Sequence, residues 1–174
     1  QLRTPLQHIW ATAVEAVEMS IRQPLKAGKG NPDWLRFFAL MSTYIASMEK
    51  LPTVPGTSTN PREIRKEIED LERKHKIEDC LIGIQMMSHN LSMPQFAKSR
   101  MHYMMSWQPL LQVKAFKPEE LPLALSALRE AEQQSATAVL VSVDSVRELK
   151  RAYPNYFADV TRFRQILQKV RGVS

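Results

Sequence analysis

Three times the chain sets a short polar residue directly before a proline: Thr4-Pro5, Asn31-Pro32 and Asn60-Pro61. Each pair reads as a helix start. The polar side chain accepts from the first unpaired backbone N–H groups, and proline sits at the first helical position, where its missing N–H is not needed. Gln7, three residues beyond Thr4, completes a capping box. Proline within a helix removes a backbone bond and collides with the preceding turn. The same residues therefore mark where preceding helices must stop.

The apolar spacing agrees. Leu6, Ile9, Trp10, Ala13, Val14, Val17 and Ile21 recur at three- and four-residue steps, with His8, Glu15 and Arg22 off the stripe. After Asn31-Pro32 a second helix is predicted through Trp34, Leu35, Phe37, Phe38, Met41, Tyr44, Ile45 and Met48. It ends near Leu51, because Pro52 and Pro55-Gly56 cannot continue it. Residues 51–60, LPTVPGTSTN, read as a loop at a domain edge. From Asn60 a long charged helix is predicted, with Glu69/Arg73, Asp70/Lys74 and Glu72/Lys76 four apart, acid first. Its seam of Ile64, Ile68 and Leu71 continues through Ile77, Leu81, Ile84 and Met87. Such a helix suits a coiled-coil arm, a nucleic-acid-binding rod or, most simply, a solvated helix lying on a domain.

Beyond Pro109 the pattern changes. LLQVKAF (110–116) has strand character, 119–134 reads as an amphipathic helix with Leu121, Leu125 and Leu128, and TAVLVSV (137–143) is the clearest buried strand. Asp144 or Ser145 then caps a helix over Val146 and Leu149, broken at Tyr153-Pro154-Asn155. A last helix carries Phe157, Val160, Phe163, Ile166, Leu167 and Val170. The expected fold is α+β and predominantly helical, with the C-terminal part of a larger domain over 1–56, a helical segment over 57–108 and a small β-α-β-α appendage over 109–174.

Composition narrows the function classes. A single cysteine, Cys80, permits no intrachain disulfide, which suits a reducing compartment such as the cytoplasm. No apolar run approaches the roughly 20 residues that a membrane-spanning helix needs. The net charge of +6 is spread along the chain and is compatible with polyphosphate or nucleic-acid partners, or simply with solubility. His75 and His89 have no zinc-ligand spacing with Cys80 or with acidic residues. Methionines 86, 87, 93, 101, 104 and 105 read as flexible core fillers or as an adaptable partner surface. There is no P-loop, no dinucleotide glycine signature and no internal repeat.

Gln1-Leu2-Arg3 alternate polar and apolar like the end of a strand running into the first helix. Strand-to-helix junctions gather backbone donors and the positive end of a helix, so ligands settle there. Arg3 at that junction is a candidate phosphate or carboxylate ligand, or the partner of a surface carboxylate.

These residues resemble the RelA/SpoT family of (p)ppGpp synthetases. The family's nucleotidyltransferase-like domain carries a strand ending in E-x-Q-x-R-T, followed by a helix. Gln1, Arg3 and Thr4 match the Q-x-R-T portion, and Gln7-His8-Ile9-Trp10-Ala11 match the helix entry. NPDWLRFFALMSTYIASMEKLPTVPG and LVSVDSVRELKRAYPNYFADVTRF are similar to the next helix and to the C-terminal extension of one subgroup. The resemblance implies a GTP/GDP pyrophosphokinase of the bacterial cytoplasm that moves pyrophosphate from ATP to the ribose 3′-hydroxyl, with Mg2+ as its metal. It implies acceptor-nucleotide contacts at Gln1, Arg3 and Ala11, with His8 either reaching a phosphate or lying on an exposed helix face. Thr4 and Gln7 are then structural caps. Catalytic and metal-holding carboxylates are expected upstream of Gln1, so the chain by itself is expected to be inactive and to hold no metal. Transfer chemistry needs roughly 8 kcal/mol or more of barrier reduction, which an acceptor wall alone does not supply. Toxin-type relatives that modify tRNA or adenosine nucleotides, and a non-catalytic nucleotide- or protein-binding module, are the alternatives. Homo-oligomers and tRNA or ribosome contacts are compatible with the family, and membrane association is not expected.

Overall fold

In a computed structural model of the chain, residues 3–90, 100–107, 111–134, 137–152 and 159–172 are described. The architecture is mixed α+β and mostly helical, with one small antiparallel sheet. The chain divides into two compact units: residues 1–82 with 159–174, and residues 83–158.

The first unit contains α1 (Pro5–Ile21), α2 (Pro32–Met48), α3 (Pro61–His75), the beginning of α4 (Ile77–Asn90) and α7 (Thr161–Arg171). The three polar-proline pairs start α1, α2 and α3. Thr4 Oγ1 accepts from the Gln7 N–H and Gln7 Oε1 from the Thr4 N–H, both at 3.2 Å. Asn31 Oδ1 takes the Asp33 N–H at 2.8 Å, and Asn60 Oδ1 the Arg62 N–H at 3.0 Å.

The loop after α2 is stapled to that helix. Buried Thr43 accepts the Val54 N–H at 3.1 Å and lies 2.6 Å from Thr57 Oγ1, which itself donates to the Val54 carbonyl. Arg36 grips both oxygens of Glu67 on α3, at 2.5 and 2.9 Å, and donates to the Gly56 carbonyl at 2.8 Å. The loop is thus part of the first unit, tied to α2 and α3, and α3 lies on that unit through Ile64, Ile68 and Leu71 rather than projecting as an arm.

The long helix expected from Asn60 breaks in two. Lys76 adopts a left-handed conformation (φ 48°), and its N–H closes α3 on the Glu72 carbonyl. The reason lies in the apolar phase. Ile77 follows Leu71 by six positions, so an unbroken helix would carry it roughly 240° around the axis, off the seam. The break returns Ile77, Cys80 and Leu81 to the interior. Burial pushes the Cys80 thiol up to about 12, which makes it a small core residue rather than a reactive one.

Phe163 on α7 closes the same core, its ring 6.3 Å from Phe37 and 5.9 Å from Phe38. The final helix, expected within a C-terminal appendage, therefore returns to the first unit. Phe157 and Tyr153-Pro154-Asn155 lie outside the described residues.

The second unit is built on a sheet of order β2-β1-β3: β1 (Met101–Trp107), β2 (Leu111–Phe116) and β3 (Thr137–Val143). A short 3-10 turn (Pro118–Glu120) leads into α5 (Leu121–Gln133), and α6 (Val146–Ala152) follows β3. Ser145 Oγ accepts the Glu148 N–H at 3.2 Å, which makes serine the cap of α6. The β-α-β-α order from 111 to 152 is present, but the central strand β1 falls in the stretch read as helical. Residues 101–106 are all buried, Met101, Met104 and Met105 among them, so β1 lacks the polar–apolar alternation that marks a half-exposed strand. β1 pairs on both sides, with Tyr103 opposite Ala115 and Val141. Burial raises the Tyr103 phenol above its usual value.

Two expectations for this unit are corrected. TAVLVSV is an edge strand with Val139 exposed, not the most buried one, because β1 takes the central place. On α5 the buried residue is Ala124, whereas Leu121 and Leu125 are exposed, since the small residue allows the helix to approach the sheet closely.

Candidate functional site

The N-terminus of α1, the face of α2 and the 3-10 turn Leu25–Ala27 enclose a concavity of about 350 Å³. From α1 it takes Trp10, Ala11 and Val14, one turn of a single helix face, and Arg3 stands just before the cap. Leu35, Phe38, Ala39 and Ser42 enter from α2 at helical spacing, which sets an aromatic ring, a small residue and a hydroxyl along one stripe. Leu25, Lys26 and Val54 complete the wall. Ala11, Val14, Leu25 and Phe38 are buried, so the lining is chiefly apolar.

Trp10 is held rigidly. Its Nε1–H donates to the Phe38 carbonyl at 2.9 Å, and the two rings meet edge to face. Lys26 is oriented by two carboxylates: its ammonium pairs with Glu15, and its backbone N–H donates to Glu18 Oε2 at 2.7 Å. Arg3 is exposed and has no ion-pair partner among the described residues. One cation is thus pinned and one is available, above an apolar floor.

A smaller concavity of about 50 Å³ adjoins the first, with Trp10 and Ser42 common to both. Gln7, Ile45, Ala46 and Glu49 form the rest of it. Glu49 is the C-cap of α2, and its Oε2 is buried without a hydrogen-bond partner.

The structure brings Arg3 and Ala11 into one lining. His8 is exposed on α1 and does not belong to it. Thr4 and Gln7 engage each other in the capping box. Gln1 lies outside the described residues, and Arg3 and Thr4 are in no strand. Sequence reasoning missed Lys26, Ser42 and Glu49 as lining residues. The stripe Leu35, Phe38, Ala39 and Ser42 carried a signal for α2, because a small residue and a serine interrupt an otherwise bulky apolar face.

Mg2+ does not fit this lining, which offers no carboxylate in the larger concavity and the single carboxylate of Glu49 in the smaller. Among the described residues, no three His, Cys, Asp or Glu side chains are grouped to hold a metal ion, and no helix is long and apolar enough to cross a membrane. Away from the concavity, Lys74 and His75 reach Asp33 Oδ2 at 2.6 and 2.7 Å and hold that carboxyl below its usual range. No protein-family model matches the chain, and no curated protein matches it either.

Proposed function

We propose that the concavity between α1 and α2 is the acceptor-nucleotide wall of a RelA/SpoT-type pyrophosphokinase, which moves pyrophosphate from ATP to the ribose 3′-hydroxyl of GTP or GDP. One observation carries this reading: Arg3 and Ala11, which the Q-x-R-T and Q-H-x-W-A runs match to the acceptor side, line the same concavity. Its chemistry suits the ligand. A purine base is flat and apolar on its faces and fits a floor made by Trp10, Ala11 and Phe38, in a cavity of ordinary ligand-site size. Phosphate oxygens suit the Arg3 guanidinium, whose donors no described carboxylate occupies.

The residues present bind and orient. Because the lining does not suit Mg2+, no metal-dependent step is derived from it, and ATP and the metal are assigned to groups outside this lining. The test is calorimetric titration of the chain with GDP, beside Arg3→Ala. Binding should weaken about tenfold in the variant, the effect of losing a charged hydrogen bond. Absence of binding by the parent chain, or equal binding by the variant, would sink the proposal. With ATP, GDP and Mg2+ the chain alone should release no AMP. Labelling of a tRNA 3′ end in place of the nucleotide would favour the toxin-type alternative.

A further inference from the structure

Glu49 stands where physical chemistry argues against it. The C-terminal end of a helix carries partial negative charge from unpaired carbonyls, so a carboxylate there is repelled, and basic residues are the favourable choice. Glu49 is the C-cap of α2, and its backbone N–H bonds to the Ile45 carbonyl at 3.1 Å. Its Oε2 is buried without a hydrogen-bond partner, and no described residue pairs with the side chain. Taking a carboxylate oxygen out of water without a donor is costly. The side chain as a whole is half-buried, so Oε2 is its inward-facing oxygen. An inward, unpaired acceptor at a position that disfavours a carboxylate points to a ligand rather than to the fold.

Its surroundings identify the ligand. The small concavity lined by Glu49 lies beside the larger one, and Trp10 and Ser42 line both. A planar base lying on the Ala11 and Phe38 floor would turn one edge toward this recess. Guanine has two adjacent donors on that edge, N1–H and the N2 amino group, and a carboxylate accepts both with its two oxygens. Adenine presents an unprotonated N1 there, which a carboxylate repels. Hypoxanthine keeps N1–H and lacks the amino group.

On the reading that the larger concavity holds the acceptor nucleotide, we propose that Glu49 is its base-specificity residue, accepting from N1–H and N2–H of guanine and selecting guanosine over adenosine and inosine acceptors. The bound base supplies the donors that the folded chain withholds from Oε2. Gln7, committed through its Oε1 to the Thr4 N–H, and Ser42 flank the recess. Discrimination therefore falls to the carboxylate.

The test compares GDP, IDP and ADP by calorimetry on the full chain and on Glu49→Gln, with thermal melting of both. The parent chain should bind GDP about tenfold or more tightly than IDP and ADP, since one charge-assisted bond is worth at least that factor. Glu49→Gln should lose most of that preference, because its amide offers one acceptor and places a donor against the amino group. It should melt at or above the parent temperature, whereas a residue kept for the fold would lower it on substitution. Equal binding of the three nucleotides, or an unchanged GDP preference in Glu49→Gln, would overturn the role of Glu49 and leave the nucleotide wall standing. Failure of the parent chain to bind any of the three would remove the wall itself and this inference with it.

Discussion

The indole N–H of Trp10 donates to the main-chain carbonyl of Phe38 at 2.9 Å, and their rings stand 6.3 Å apart at 89°. This contact fixes α1 against α2 at the point where both concavities share a wall. Trp10→Phe keeps an aromatic surface but removes the donor and part of the ring. The lost hydrogen bond costs about 1 kcal/mol and the smaller ring a comparable amount. Urea unfolding should show a lower midpoint with an unchanged slope. GDP binding should weaken as well, since the wall loses its anchor. A variant as stable as the parent would mean that the bond to Phe38 contributes nothing.

The limits of reading this chain from its sequence follow from particular residues. The starts of α1, α2 and α3 were legible, because Thr4, Asn31 and Asn60 act on backbone groups two or three residues away. The break at Lys76 was legible in principle through the phase slip between Leu71 and Ile77, though no glycine or proline marks it. β1 was hidden because both faces of the central strand are buried, leaving no alternation to read. On α5 the leucines suggested a buried stripe, yet the close approach of helix and sheet selects Ala124. The Q-x-R-T and Q-H-x-W-A runs point to Arg3 and Ala11, whereas no local pattern points to Lys26 or Glu49. Lys26 reaches the lining through Glu15 and Glu18 on another element. Glu49 is conspicuous only once its oxygen is known to be buried and unpaired.

Asp33 makes stability depend on acid. Hydrogen bonds from Lys74 and His75 hold its carboxyl below the ordinary value of 3.8. A carboxyl whose folded pKa is depressed contributes stability that is fully present above its unfolded value. That contribution is lost as pH falls through the folded value, so the window lies from about 4 downward. Asp33→Asn should therefore be less stable than the parent at neutral pH, with the difference closing under strong acid. Added salt should shrink it, because the pair with Lys74 is exposed. Thermal melting across pH and salt measures both effects. A constant difference down to strong acid would show that the amide fails for a reason other than its missing charge, such as the fit of its NH2 group beside Lys74 and His75.

Glu78 at the start of α4 should behave in the opposite way toward salt. Its Oε1 accepts from Gln168 at 2.8 Å, its Oε2 pairs with Arg171 at 2.5 Å, and Arg164 stands 3.5 Å away. Arg171 also reaches Glu72 on α3 at 3.3 Å. One carboxylate thus joins α7 to the rest of the first unit, 93 residues distant along the chain, and its side chain is 18% exposed. Glu78→Gln keeps the shape and one acceptor but leaves two guanidiniums facing a neutral amide. The expected loss is about 2 kcal/mol, the scale of a hydrogen bond to a charged group. Glu78→Ala should cost more, about 3 kcal/mol or above, because both arginines then lose an acceptor in a largely dry site. Partly buried pairs are weakly screened, so both losses should persist in high salt, where the Asp33→Asn difference fades. Denaturant unfolding at two ionic strengths distinguishes the cases. A Glu78→Gln loss that vanished with salt would place this carboxylate among the solvated surface pairs and not among the groups that fix α7.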